Sequence, residues 1–212
     1  MFLPGQGLWL DPRRGKEFAF ISHAHSDHIA RHRRVILSEA TSRLLAIRLT
    51  GQRKEEVLGF GEGHDFGSFR ATLLPAGHVL GSAQLFVEAA EGSLLYTGDF
   101  KLRPGASCGR AEWCAADTLI METTFGLPRY VFPPAAEIEA EFIRICRGAL
   151  DEGLVPLVLA YSLGKAQEAM CLAARAALPV MVHPSVQAMA EVYAELDPVS
   201  YTHLTLPTNR EV

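Results

Sequence analysis

The chain has 212 residues, 49% hydrophobic, 21% charged and 8% aromatic, with a formal net charge of −4. That apolar fraction builds a core and excludes intrinsic disorder, and the length suits one large domain or one domain and part of another. No run approaches about 18 consecutive apolar residues, which excludes a membrane-spanning helix. The acidic balance argues against a module that holds nucleic acid by phosphate contacts alone, but not against an enzyme whose metal ions carry the positive charge.

The opening Met1-Phe2-Leu3-Pro4-Gly5 lacks the basic start and long apolar run of a signal peptide, so the expectation is a soluble, cytoplasmic protein. Residues 18–21 form a short apolar run, read as a buried strand. Residues 39–49 have helical spacing, with Gly51 as C-cap. Residues 69–74 and 83–87 alternate as strands do, and 93–96 add another. The period changes after Pro133-Pro134. Residues 135–150 predict a helix stopped by Gly153. Residues 155–161 are apolar without alternation, as in a strand buried on both faces. A helix over 164–177 with Ser162 as N-cap, a strand over 179–182 and a helix over 184–196 complete the series. Strand–helix alternation with short connections predicts a parallel α/β layer, with a boundary near residues 126–134. Residues 201–212 follow Asp197-Pro198 without periodicity. They read as a non-native tail, resembling sequencing-adaptor read-through, on a chain that natively continues.

Cys108, Cys114, Cys146 and Cys171 are too few and too scattered for a disulfide framework, and no pair has C-x-x-C spacing for a thiolate zinc site. The chemistry lies elsewhere, in His23-Ala24-His25-Ser26-Asp27-His28, directly after the 18–21 strand. Packing gives no reason to cluster three imidazoles and a carboxylate in six residues. In an extended segment His23 and His25 project to one side. A turn into a helix at Asp27-His28 aims the next two side chains at an adjacent point. Two later strand ends supply His78, in Pro75-Ala76-Gly77-His78-Val79-Leu80-Gly81-Ser82, and Asp99, in Tyr96-Thr97-Gly98-Asp99-Phe100. Together these residues form a ligand set: His23, His25 and His78 at one metal, Asp27, His28 and Asp99 at a second, with Asp99 bridging. Imidazole and carboxylate donors without thiolate suit zinc, with manganese as the alternative.

These motifs resemble the metallo-β-lactamase superfamily, and within it the β-CASP nucleases. His23-x-His25-x-Asp27-His28, His78 and Asp99 match the superfamily's second, third and fourth motifs, and Asp11 in Leu8-Trp9-Leu10-Asp11-Pro12 sits where the first motif's Asp would be. Met121-Glu122-Thr123-Thr124-Phe125-Gly126 is similar to the first β-CASP motif. Tyr161-Ser162-Leu163-Gly164-Lys165-Ala166-Gln167-Glu168 resembles a strand-to-helix turn of the inserted β-CASP domain. The group most like it is the bacterial ligase-associated DNA exonucleases, also labelled mRNA 3′-end processing factors. The resemblance covers residues 5–200, about the first 60% of a family chain.

It implies an α/β fold: the N-terminal part of a metallo-β-lactamase αββα sandwich over residues 1–130, part of a parallel α/β β-CASP domain over 131–200, and the tail over 201–212. The later strands and the last His ligand of the second metal fall outside the chain, and His183 and His203 are not expected to replace it. The implied activity is zinc-dependent phosphodiester hydrolysis of DNA or RNA, in DNA repair or RNA processing, with two metals activating a shared hydroxide. Asp27, Asp99 and Glu122 are the expected catalytic residues, Glu122 orienting a ligand or shuttling a proton at the leaving oxygen. Asp11 fixes the motif loop by hydrogen bonds. Ser162, Gly164 and Lys165 could hold a backbone phosphate, against the plainer reading of an N-cap followed by an exposed lysine. Arg31, Arg33 and Arg34 are candidates for the nucleic-acid path, against a merely solvated face. A DNA ligase is the partner that the family name suggests. The competing readings are a small-molecule hydrolase, such as a thioesterase or lactonase, and an inactive truncated product with a weakened second metal site.

Overall fold

The computed structural model describes residues 1–196, and the tail reading for 201–212 lies outside them. The described chain is mixed α/β, with two five-stranded sheets and four α-helices. It divides into two compact units, Met1–Glu122 and a second that begins at Thr123.

The first unit holds all ten of the described strands. One sheet runs β1 (Phe2–Leu3), β2 (Leu8–Leu10), β3 (Phe18–Phe20), β4 (Arg34–Leu37) and β5 (Lys54–Val57), parallel except for the β1–β2 pair. The other has the order β10 (Thr118–Ile120), β9 (Gly92–Tyr96), β8 (Ala83–Ala89), β7 (Phe69–Pro75) and β6 (Gly63–Asp65). It is antiparallel apart from β10 on β9. Alternation in β7 sends Phe69, Ala71 and Leu73 inward, where they meet Leu85 and Val87 of β8. The same cluster takes Leu8, Leu10, Phe20 and Ile36 from the first sheet, so the two sheets share one core. Behind the first sheet, Ile21, Val35 and Leu37 pack on Leu45 of α1 (Glu39–Arg48).

Helix α1 starts where Ser38 caps it, its Oγ accepting from the Thr41 N–H at 3.2 Å. It closes at Leu49, two residues before the expected Gly51. No helix follows Asp27-His28 either. The chain makes a turn, with the His28 N–H donating to the His25 carbonyl at 3.1 Å, and then runs without helix to β4.

The second unit is helical as described, with α2 (Ala135–Asp151), α3 (Lys165–Arg175) and α4 (Pro184–Leu196). The strands expected over 155–161 and 179–182 are absent among the described residues, and with them the parallel layer. Val155, Leu157, Leu159 and Tyr161 are 82–88% exposed. A strand needs neighbours for its backbone groups and, when apolar throughout, cover on both faces; no described strand runs beside these segments. Helix α3 is also capped differently from the expectation. Gly164 is its N-cap, and Gln167 rather than Ser162 closes the turn, Oε1 accepting from the Gly164 N–H at 2.7 Å. No described helix is long and apolar enough to cross a membrane.

Candidate metal centre

Three chain reversals at strand ends of the first unit bring the histidine cluster, His78 and Asp99 together. After β3 the Ile21 N–H still donates to Ile36 at 3.0 Å, and the Ser22 carbonyl accepts from Ala83 at 2.8 Å, which ties the start of the cluster to both sheets. After β7 the chain turns through Gly77, whose φ is +71°. A Cβ there would lie 2.5 Å from the Lys101 carbonyl, so glycine is required on both counts. Ser82 Oγ accepts from the His78 and Val79 N–H groups at 3.0 and 3.1 Å and closes this loop. Ser38 Oγ donates to the Gly81 carbonyl at 2.6 Å and anchors the loop to α1. After β9, Gly98 at φ +53° passes so near Ser22 that a Cβ would meet its Cβ at 2.6 Å, and Asp99 follows.

The result is two groups of donor atoms, each within 4.8 Å of one another: His23, His25 and His78, and His23, His28 and Asp99. In the first, His25 Nδ1 stands 2.9 Å from His23 Nε2 and 3.3 Å from His78 Nε2. Tetrahedral zinc with bonds of about 2.0–2.1 Å puts its ligand atoms about 3.3 Å apart, so the spacing and the donor chemistry fit a metal ion. In the second, Asp99 Oδ1 lies 3.4 Å from His28 Nε2, while Asp99 Oδ2 lies 3.7 Å from His78 Nε2 and 3.9 Å from His23 Nε2. One carboxylate therefore faces both groups. Asp27 is more exposed, with Oδ2 3.6 Å from His28 Nε2 at the open edge of the second group. His23 takes part in both groups, whereas the sequence assigned it to one.

Asp11 organises this cluster from beneath. Its Oδ1 accepts from the Ser22 N–H at 2.8 Å, and its Oδ2 accepts from Ser22 Oγ at 2.6 Å, Tyr96 Oη at 2.9 Å and His28 Nδ1 at 3.0 Å. A hydroxyl has one proton, and Ser22 gives it to the carboxylate. Ser22 Oγ, 2.9 Å from His23 Nδ1, therefore accepts the imidazole proton. His23 and His28 are both left with Nε2 lone pairs turned towards the two groups, the tautomers a metal needs. Asp11 itself sits at φ +41°, a left-handed conformation that Asp tolerates better than most residues. Ser22 and Tyr96 were missed in the sequence. Their signal was only position: the residue before the first His, and the one three before Asp99.

The electrostatics agree with a cation site. Burial and then the neighbouring His28, His25 and His78 push the His23 pKa well below its ordinary value. Burial opposes charge on His28 too, yet the Asp11 hydrogen bond and the fields of Asp11, Asp99 and Asp27 raise its pKa overall. Asp99 is raised by burial, with Glu122, Asp27 and Asp11 adding and His28 opposing. Tyr96 is raised by burial and by Asp11, which keeps its hydroxyl a donor.

Glu122 is half-buried beside Asp99. Its Oε1 accepts from the Phe100 N–H at 3.4 Å, and its own N–H donates to Thr97 Oγ1 at 3.4 Å. Ser162, Gly164 and Lys165 belong to the second unit. There the Gly164 N–H is used by Gln167 and the Ala166 N–H by the Tyr161 carbonyl, two of the donors a phosphate would want. His183 pairs with Ser185 Oγ at 2.8 Å and joins neither donor group; His203 lies outside the described residues. None of the four cysteines forms a disulfide.

No family model matches the chain. It is 46% identical over 200 residues to a probable DNA ligase of Opitutus terrae, an alignment covering 92% of this chain and 19% of that protein. It is 35% identical over 120 residues to endoribonuclease ysh1 of Aspergillus fumigatus, covering 55% of this chain and 14% of the relative. It is 36% identical over 107 residues to transcription termination factor FttA of Methanocaldococcus jannaschii, covering 49% and 17%. The chain thus spans less than a fifth of the length of these curated relatives. A solved protein of unknown function from Enterococcus faecalis V583 has a similar fold, with a TM-score of 0.55 at 17% identity over 86% of this chain and 49% of that one. The motifs and these relatives identify a member of the metallo-β-lactamase superfamily. Within it, the chain belongs to the β-CASP branch.

Proposed function

We propose that this chain carries the metal centre of a phosphodiester hydrolase acting on nucleic acid. Residues 1–130 would be the N-terminal part of a metallo-β-lactamase-type sandwich, and residues 131–200 part of a β-CASP insert. The observation that carries the reading is Asp99, whose two oxygens face two histidine groups built on separate strand ends. Such a carboxylate would serve to hold metal ions between the two groups, and the thiol-free donor set favours zinc.

Metal ions held there would supply a Lewis acid for the phosphoryl oxygens and a water made nucleophilic near neutral pH. The chain's own residues do the rest. His23 forms the buried floor of the site, the half-buried His25, His28 and His78 stand around it, and Asp27 lies at the open edge. Asp11 fixes the tautomers of His28 directly and of His23 through Ser22. Glu122, held near Asp99 by the Phe100 N–H, is the group positioned to give a proton to the leaving oxygen. The choice of nucleic acid over a small ester rests on the relatives, whose names are a DNA ligase, an endoribonuclease and a transcription termination factor. Association with a DNA ligase is a part of this reading that rests on the first name alone.

The test is cleavage of 5′-labelled single-stranded DNA and RNA of one sequence by the zinc-loaded chain, with metal content measured alongside. Cleavage of either strand that disappears, together with bound zinc, in His25→Ala/Asp27→Ala supports the reading and identifies the preferred strand. Zinc bound without cleavage of either, but with hydrolysis of a thioester or lactone, would overturn it.

A further inference from the structure

The metal centre has an electrostatic problem. Asp11, Asp27, Asp99 and Glu122 cluster around it in a chain of net charge −4, and its proposed substrate is a polyanion. Metal ions would offset the carboxylates themselves, but the rest of a bound strand needs cations from the protein, and the sequence offers many candidates near His28. The structure sorts them. Arg33 Nη1 is committed to Glu17 at 3.1 Å, and Arg34 Nε to Glu56 at 2.9 Å. Lys54 shares Glu56, and Lys16 Nζ lies 3.6 Å from the centroid of the Trp9 ring. Arg13, Arg14 and Arg31 are exposed and form no ion pair among the described residues.

These three arginines belong to two loops that are built together. The loop from β2 to β3 carries Arg13 and Arg14, and the loop before β4 carries Arg31. The Lys16 N–H donates to His32 Nδ1 at 3.1 Å, and the Lys16 carbonyl accepts from Arg33 N–H at 3.0 Å. Gly15 packs so closely on the second loop that a Cβ would lie 2.6 Å from the Arg31 carbonyl. His32, almost fully buried, is the pin between them. Each loop leads straight out of the metal centre. Arg13 is two residues from Asp11, and Arg31 is three from His28, side chains that are themselves bonded at 3.0 Å. Two and three residues of chain span at most about 7 and about 11 Å, so all three guanidinium groups stand within a few nucleotides of the site.

We infer that Arg13, Arg14 and Arg31 form a platform for the sugar–phosphate backbone of the strand to be cut. The inference rests on the nucleic-acid reading above. The contacts are sequence-independent, made by guanidinium forks to phosphate oxygens. Of the basic cluster after His28 the proposal keeps Arg31, since Arg33 and Arg34 already face Glu17 and Glu56, and the loop after Asp11 supplies the other members.

The test is fluorescence anisotropy of the zinc-loaded chain with a labelled, cleavage-resistant phosphorothioate single strand, titrated over about 50–200 mM NaCl. Each phosphate contact to a single strand contributes about 0.7 to the slope of log affinity against log salt. Arg13→Gln/Arg14→Gln/Arg31→Gln should lower the slope by about 2 and weaken binding at low salt by more than about tenfold. Arg31→Gln alone should lower it by about 0.7. The charge-conserving triple lysine variant should keep the wild-type slope, and so should Arg33→Gln. An unchanged slope in the triple glutamine variant, or an equal loss in Arg33→Gln, would overturn the platform while leaving cleavage by the wild type as evidence for the nuclease. A wild-type chain that neither binds nor cleaves the strand would overturn both.

Discussion

The two units of this chain answer the same kind of sequence signal in opposite ways. In the first, the apolar runs of β3, β4 and β7 find neighbours on both sides, and their side chains meet across two sheets in one core. In the second, the run over 155–161 is as apolar as any of them, yet forms no strand and stays largely exposed, without a described strand beside it. Hydrophobic pattern specifies what a segment can bury, and partners decide whether it is buried. The helices of the second unit form regardless, since a helix satisfies its backbone internally. All the donors of the metal centre lie in the first unit, where strand ends are pinned from two directions.

The largest effect that would sharpen this contrast is at His23, the residue shared by both donor groups. His23→Ala should abolish both metal equivalents and reduce cleavage by well over a hundredfold, beyond the roughly 10–100-fold in affinity typical of a residue that only orients a ligand. His78→Ala, a member of one group, should leave the second equivalent in part. Leu157→Ser, in the second unit, should leave both. Metal content by mass spectrometry of the purified proteins checks all three, and loss of metal in Leu157→Ser would break the assignment of the centre to the first unit alone.

Stability should divide in the same way. Leu73 is fully buried between the sheets, whereas Leu157 is 84% exposed. Leu73→Ala should cost about 2–5 kcal/mol, and Leu157→Ser should stay within about 0.5 kcal/mol, both read from urea denaturation. A large cost at Leu157 would mean that the run is buried in solution.

How much of this was legible in the sequence follows the same logic. The strands at 18–21, 69–74, 83–87 and 93–96 and helix α1 could be read because local period and final environment agree there, and the helices of the second unit because a helix pairs its backbone internally. The short edge strands β1, β5, β6 and β10 could not, since their formation depends on a neighbour rather than on their own pattern. In the site, the spacing of His23, His25, Asp27 and His28 and the glycines beside His78 and Asp99 carried the donor set. The hydrogen bonds of Asp11 with Ser22 and Tyr96 link positions 11 and 85 residues apart, and no local signal encodes them. The ion pairs of Arg33 with Glu17 and of Arg34 with Glu56 link distant positions in the same manner.

The smallest predicted effect concerns His32, the pin between the arginine loops. Its Nδ1 accepts from Lys16 N–H, so Nε2 carries the proton, and that buried nitrogen has no partner among the described residues. Burial lowers its pKa from the ordinary 6.5; Asp11 opposes the shift and Lys16 adds to it. The unfolded chain therefore binds this proton more readily than the folded one, and stability contributed at neutral pH is lost as pH falls below about 6.5. In metal-loaded protein, urea midpoints for the wild type should decline between about pH 6.5 and 5.5 more steeply than those of His32→Gln, whose side chain does not titrate. The glutamine variant should be somewhat less stable at pH 7.5, because its amide must also be buried. Parallel pH profiles for the two proteins would show that the imidazole is not held neutral, and would remove the proton-sensitive joint between the two loops.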